Sequence, residues 1–379
     1  MDFRLTDEQQ QLVASARRLA AERFAGGDAH EGFAFDHAEV LAAHGFTGIA
    51  LPVADGGQGG ALLDAVLVME AVSAVSPAAG DAVQATNFGA IRQLAEFGSP
   101  SLKERVLPDL LAGRGLVSVG MSEPEAGSGL TDLRTTARIE GEEVVLDGEK
   151  SWNSNGPDTT HIVVWCRFGP RTRDIGSVLV PTDAPGFTKG PPERYMSGDR
   201  YCSLIMQSCR VPADHILLEA DGFRRMMTMF GVERMGNAVR ALSLAQSAFD
   251  MAVEHAKTRE QFGRPLCDFQ GLQWKFADMR MRLDAARLLI YRAVVGADQG
   301  APDPAEATIA KCYANEAAWY VANEALQVFG AIGYSTALPV ERIVRKIRGW
   351  MIAGGSVEIL RNRIAEDVFD RRFSQRLPV

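Results

Sequence analysis

Four segments of this 379-residue chain combine side chains that could do chemistry. The first, Met121-Ser122-Glu123-Pro124-Glu125-Ala126-Gly127-Ser128, is a polar, glycine-containing turn leaving a β-rich run. Such a turn exposes backbone N–H groups and hydroxyls that can bond the edge of a flavin or a phosphate, and it also reads as an ordinary surface turn. The second, Asp147 to Gly156, sets Trp152 among polar residues at a strand end. That indole could offer its face to a planar ring system or anchor a β-core. The third is Arg259-Glu260-Gln261-Phe262-Gly263-Arg264-Pro265-Leu266, followed by Phe269-Gln270. The fourth is Glu233, a carboxylate in an apolar run that includes Met226, Met229, Phe230, Met235, Ala238 and Val239. A carboxylate there is costly to bury unless it is paired or functional, and a solvated helix face is the alternative.

The elements around these segments fall into three stretches. Residues 1–115 read as helical, with a capping box at Thr6 and Gln9, a second helix over 36–43, and apolar helical stretches at 61–77 and 89–112. Residues 116–220 carry short β-branched runs at 116–119, 143–146, 161–166 and 177–180, separated by Gly, Pro, Asp and Asn. That spacing predicts a small antiparallel β-domain. Residues 221–379 return to the helical period, with helices predicted over 237–258, 269–298 and 303–329 and another beginning near Ser356. The expected class is α+β: an N-terminal helical domain, a middle antiparallel β-domain and a C-terminal four-helix bundle. No GxGxxG follows a strand, so a dinucleotide-binding βαβ unit is not expected.

Composition narrows the function classes. The chain has 48 acidic and 40 basic residues, a formal charge of −8, which argues against a nucleic-acid partner. The five cysteines are widely spaced without a C-x-x-C pair, so free thiols in a reducing cytoplasm are expected. No signal-peptide pattern and no apolar run of membrane-spanning length is read, so a cytoplasmic protein with no membrane partner is expected.

Taken together, the first three segments resemble the acyl-CoA dehydrogenase family, whose members carry an EPxAGSD-like turn, a GxKxWIxN-like strand and an R-x-x-F-G break followed by Gln. Gln327 to Tyr334 and Gly355 to Asn362 resemble its two remaining signatures. The resemblance implies FAD. It assigns Met121, Ser122, Ser128, Trp152 and Ser154 to the flavin. Arg259, Gln261, Phe262, Gln270 and Gln327 are implied to hold the pyrophosphate and adenosine, partly from a neighbouring subunit. An Arg fork suits a pyrophosphate. Gly330, Ala331, Ser356 and Glu358 are further implied cofactor residues, and Ser128, Arg234 and Gly355 implied substrate residues. The implied assembly is a homotetramer, and the implied electron acceptor is an electron-transferring flavoprotein.

The resemblance also implies α,β-dehydrogenation of an acyl thioester, carried by CoA or by a carrier protein. A carboxylate takes the α-proton while the β-hydride passes to flavin N5. In most members that carboxylate lies in an I-Y-E-G-T-type segment, where this chain has Ile352-Ala353-Gly354-Gly355-Ser356. Isovaleryl-CoA dehydrogenase-like members place the base in an L-E-R-type segment, where this chain has Val232-Glu233-Arg234. Glu233 is therefore the expected base, and Gly354 keeps a backbone N–H for the thioester carbonyl. Departures at Gly129, Gly231, Met196 to Arg200 and Arg345-Lys346 leave acyl specificity open. Two other readings stand beside this one: a flavin- and oxygen-dependent oxidase or monooxygenase of the same fold, and a non-catalytic partner subunit.

Overall fold

The computed structural model describes residues 4–26, 31–297 and 300–375. These form two compact units, residues up to Gly236 and from Asn237 onward.

The first unit opens with helices α1 (Asp7–Arg23), α2 (Phe35–Ala43), α3 (Leu62–Ser73), α4 (Pro77–Asn87), α5 (Ala90–Phe97) and α6 (Pro100–Leu111). Local chemistry sets their ends. The Thr6 hydroxyl accepts from the Gln9 N–H and the Gln9 side chain accepts from the Thr6 N–H, the expected capping box. Ser76 and Ser99 cap α4 and α6, each of which has Pro in its first turn, where the missing N–H is not needed. The long stretches expected at 61–77 and 89–112 are each broken, at Ser76-Pro77 and Ser99-Pro100.

The strands follow: β1 (Val117–Gly120), β2 (Thr136–Glu140), β3 (Glu143–Ser154), β4 (His161–Arg167), β5 (Ile175–Pro181), β6 (Phe187–Lys189), β7 (Glu193–Arg194), β8 (Arg200–Pro212) and β9 (Ile216–Leu218). They run in the order β6-β8-β3-β2-β4-β5-β9, with β1 beside β4 and β7 beside β8. Most pairings are antiparallel, as expected, but β1 and β2 pair with β4 in parallel. The chain between these partners includes β3, and for β1 also β2, so neither pair is joined by a tight hairpin, which can link only antiparallel strands. One face of the sheet packs on the helices through Val163, Trp165 and Leu179 against Ile91, Leu94 and Leu107. Trp165 is fully buried and its Nε1 donates to Gln93 Oε1 at 3.2 Å. The other face holds a second core of Val144, Leu146, Ile162, Val164 and Leu204. The five cysteines are free, and burial pushes the Cys166 thiol up to about 12.

Helix α7 (Gly222–Thr258) runs through the boundary between the units. It begins 15 residues before the expected 237, because Met226, Met229, Phe230, Val232 and Met235 are already buried around much of its circumference. A short hairpin, β10 (Glu260–Gln261) and β11 (Arg264–Pro265), follows it. Helices α8 (Gln270–Val295), α9 (Pro304–Phe329), α10 (Val340–Trp350) and α11 (Val357–Val368) complete the second unit. The end expected for α8, at 298, lies outside the described residues. Met279, Leu283 and Ala286 are buried on α8 at the predicted helical spacing. Phe249 of α7 meets Phe276 of α8, and α9 presents a small-residue face of Ala307, Ala310, Ala314, Ala317 and Val321. No helix among the described residues is long and apolar enough to cross a membrane.

Candidate active site

In the first unit the turn after β1 is fixed by a buried ion pair. Lys150 Nζ lies 2.7 Å from Glu123 Oε1, with side-chain exposures of 0% and 6%. Glu123 also accepts from the Arg134 N–H at 2.5 Å, the Thr135 N–H at 3.0 Å and the Thr135 hydroxyl at 2.6 Å. Burial alone would push the Glu123 carboxyl up. The Lys150 charge and these hydrogen bonds outweigh it and hold the group below the usual carboxylate range. Lys150 further donates to the Met121 carbonyl at 3.3 Å, and the Ser151 N–H to the Ser122 carbonyl at 2.9 Å. Gly120 lets the strand approach: a Cβ there would stand 3.0 Å from Lys150 Cγ and 2.6 Å from Ile162 Cδ1. Neither Glu123 nor Lys150 was among the expected site residues, although both fall inside the motifs.

This arrangement brings the turn carrying Met121 and Ser122 against the end of β3, which carries Trp152 and Ser154. Trp152 is no core anchor: it is 61% exposed, with φ of 58°. Its carbonyl accepts from the Tyr195 hydroxyl at 3.0 Å, which in turn accepts from Ser154 Oγ at 3.3 Å. Tyr195 stacks on Tyr201, which meets the Trp152 ring at 5.2 Å. Ser128 is exposed at the far end of the turn. An exposed indole face beside hydroxyls and a fixed turn backbone suits a flavin, so the donor set fits FAD.

Glu233 lies on α7 and is half-buried between buried Val232 and Arg234. Its Oε2 stands 3.3 Å from the point a Cβ at Gly89 would occupy. The Arg234 guanidinium lies over the Phe230 ring at 5.7 Å and is buried.

In the second unit Arg259 is exposed at the foot of the β10–β11 hairpin, and its carbonyl accepts from the Leu266 N–H. At the hairpin tip Phe262 is 92% exposed with φ of 55°, next to exposed Gln261. Arg264 lies over the Phe269 ring at 4.1 Å, and Gln270 begins α8. Gln327, Gly330 and Ala331 are exposed around the end of α9, where Gly330 takes φ of 65°.

The loop between α10 and α11 carries Gly354 (φ 75°) and Gly355 (φ 91°). Lys311 Nζ donates to the Gly355 carbonyl at 2.6 Å, and Asn315 Nδ2 to the Trp350 carbonyl at 2.6 Å. Asn237 packs over Gly354, its Nδ2 3.1 Å from where a Cβ would stand. Ser356 caps α11 by accepting from the Ile359 N–H, and Glu358 is exposed on the first turn. Lys311 is fully buried in an alanine-rich helix. A cation among apolar residues, like the apolar run around Glu233, is a signal that could have been read from the sequence.

Comparison with known proteins bears on the whole chain. Residues 6–114, 118–209 and 220–369 match the models of the acyl-CoA dehydrogenase N-terminal, middle and C-terminal domains. Over 394 residues the chain is 37% identical to 3-sulfinopropanoyl-CoA desulfinase of Paraburkholderia xenovorans, covering 99% of each. It is 34% identical over 369 residues to the probable acyl-CoA dehydrogenase FadE25 of Mycobacterium tuberculosis, covering 95% of each. The fold superposes on butyryl-CoA dehydrogenase of Megasphaera elsdenii with a TM-score of 0.91, at 30% identity, covering 97% of this chain and 100% of that one. With its β-domain between helical segments and its flavin-compatible turn, the chain belongs to the acyl-CoA dehydrogenase family, FAD-containing oxidoreductases acting on the CH–CH group.

Proposed function

We propose that this enzyme dehydrogenates an acyl-CoA thioester at its α and β carbons, with Glu233 as the base. The observation that carries the reading is the position of Glu233, a carboxylate on a largely buried turn of α7, in a chain whose Gly354 leaves the usual family position without one. A water-poor setting suits a carboxylate base, because burial raises its affinity for a proton.

Each residue then has a task. Glu233 Oε takes the α-proton. The Gly354 N–H donates to the thioester carbonyl and stabilises the enolate-like charge that develops there. Lys311 and Asn315 fix the loop that presents this N–H. Trp152, Ser122, Ser128 and Ser154 hold and orient the flavin, and Arg259, Gln261, Phe262, Gln270 and Gln327 hold its pyrophosphate and adenosine. FAD, when bound, supplies the acceptor for the β-hydride. The exposed Phe262 suits a site completed by a neighbouring subunit, in a homotetramer, with an electron-transferring flavoprotein as acceptor.

A second reading is favoured by the 37% identical relative: removal of a sulfino group from 3-sulfinopropanoyl-CoA. Anaerobic titration with short, branched, cyclic and long acyl-CoAs and with 3-sulfinopropanoyl-CoA separates the two. Dehydrogenation predicts flavin bleaching with at least one plain acyl-CoA. Sulfite release from 3-sulfinopropanoyl-CoA, with the flavin left oxidised by every plain thioester, would replace it with the second reading.

A further inference from the structure

We propose that Tyr195 is a positioning residue that holds the Ser154 hydroxyl as an acceptor, so that Ser154 favours reduced over oxidised FAD; this rests on the assignment of Ser154 to the flavin above. The Tyr195 hydroxyl lies 3.0 Å from the Trp152 carbonyl and 3.3 Å from Ser154 Oγ. A carbonyl oxygen can only accept, so the single Tyr195 proton goes to Trp152. The proton between the two hydroxyls then comes from Ser154. A serine hydroxyl has one proton and two lone pairs. Ser154 is exposed, and what it offers on that side is acceptor capacity alone.

The surrounding structure fixes this direction. The register between β3 and β8 shifts so that Ser151 and Trp152 stand where β8 supplies Ser203 alone. Such a bulge leaves a residue without its ladder partner. Trp152 takes φ of 58° there, and the Tyr195 hydroxyl reaches its carbonyl. Tyr195 itself is held from two sides. Its N–H donates to the Asp199 carbonyl at 3.0 Å, and its carbonyl accepts from the Gly198 N–H at 2.9 Å, in the turn between β7 and β8. Its ring stacks on Tyr201 at 4.4 Å, and Tyr201 stands opposite Ser154 in the sheet register. Burial pushes the Tyr195 hydroxyl above the ordinary tyrosine range, so it keeps its proton at working pH. Tyr195 immediately precedes Met196 to Arg200, where the chain departs from the family pattern.

The consequence follows from the ring chemistry of the cofactor. N5 of an oxidised flavin is a bare acceptor, whereas N5 of a reduced flavin carries a proton and donates. An accept-only Ser154 pairs with the reduced form alone. A serine free to rotate would serve either form, by donating or by accepting. Tyr195 thereby raises the midpoint potential of the bound flavin, since hydrogen bonds to ring nitrogens are one way a protein tunes this cofactor.

The test is the two-electron midpoint potential of the FAD-loaded enzyme without substrate, from anaerobic titration against dyes of known potential. It is measured in the natural protein, in Tyr195→Phe, in Ser154→Ala and in the variant carrying both changes. One hydrogen bond shifts an equilibrium by up to about tenfold, and tenfold is about 30 mV for a two-electron couple. Tyr195→Phe keeps the stacked ring, so it should fold, hold FAD and lie about 30 mV below the natural protein. Adding Tyr195→Phe to Ser154→Ala should move the potential no further. A shift in Ser154→Ala with none in Tyr195→Phe overturns the role of Tyr195 and leaves Ser154 at the flavin. No shift in any variant removes Ser154 from the flavin, and the proposal with it. A full drop from Tyr195→Phe in the Ser154→Ala background also overturns it, because the tyrosine would then act without the serine.

Discussion

Lys150 on β3 and Lys311 on α9 are both fully buried, and they fasten different kinds of structure. Lys150 meets a carboxylate, Glu123, and the pair ties a turn to a strand inside a sheet. Lys311 donates to a backbone carbonyl, that of Gly355, in a loop between helices. The sheet locks its turn with charge against charge, where removing one partner strands the other. The bundle holds its loop by a cation on a peptide group, and the N–H at the neighbouring Gly354 is the group the proposed chemistry uses. On the proposed mechanism the first arrangement protects a cofactor platform, and the second aims a single donor. Breaking each should therefore hurt different properties.

The largest effect is expected for Lys150→Met. It leaves the Glu123 carboxylate buried without its cation, a change that costs about 3–5 kcal/mol. A thermal melt should show a large loss, together with easier FAD release, and Lys150→Met with Glu123→Gln should recover much of it. A mild single-variant loss would mean that the hydrogen bonds from Thr135 and Arg134 suffice. Next comes Lys311→Met, which removes a charged donor worth about 1.5–3 kcal/mol. Here kcat/KM should fall by roughly tenfold or more while FAD affinity stays unchanged. FAD loss instead would erase the contrast between the two lysines.

Gly354→Ala should be smaller. The residue holds φ of 75°, and the new Cβ would press to 3.1 Å from Asn237 Nδ2. Left-handed backbone costs an L-residue about 1–2 kcal/mol, visible as a lowered melting temperature. The smallest effect is a pH dependence. The folded-state pKa of Glu123 lies below its ordinary 4.5, so its stabilisation is complete above about 4.5 and is lost as pH falls through the folded value. Melting temperatures below pH 4.5 should therefore fall more steeply in the natural protein than in the Lys150→Met, Glu123→Gln double variant.

Much of the fold was legible because local chemistry writes it. The capping box at Thr6 and Gln9, the β-branched runs that became β3, β4 and β5, and the helical spacing of Met279, Leu283 and Ala286 are all short-range patterns. The parallel pairing of β1 with β4 was not legible, since nothing near Val117 names a partner at His161. The early start of α7 was hidden by Gly231 and Gly236, which interrupt the pattern although tertiary packing retains them. At the site, the motifs carried Trp152 and Glu233, yet not whether the indole would be buried or exposed. The Glu123–Lys150 pair spans 27 residues of sequence and emerges only when the turn after β1 meets β3.

The most direct test is the rate of anaerobic flavin reduction by a bleaching acyl-CoA, followed by stopped flow in the natural enzyme and in Glu233→Gln. The variant should keep FAD and still bind the thioester, while reduction slows by about 10²–10⁴-fold, the usual contribution of a positioned base. Reduction at a near-normal rate in Glu233→Gln would contradict the assignment and place the base elsewhere.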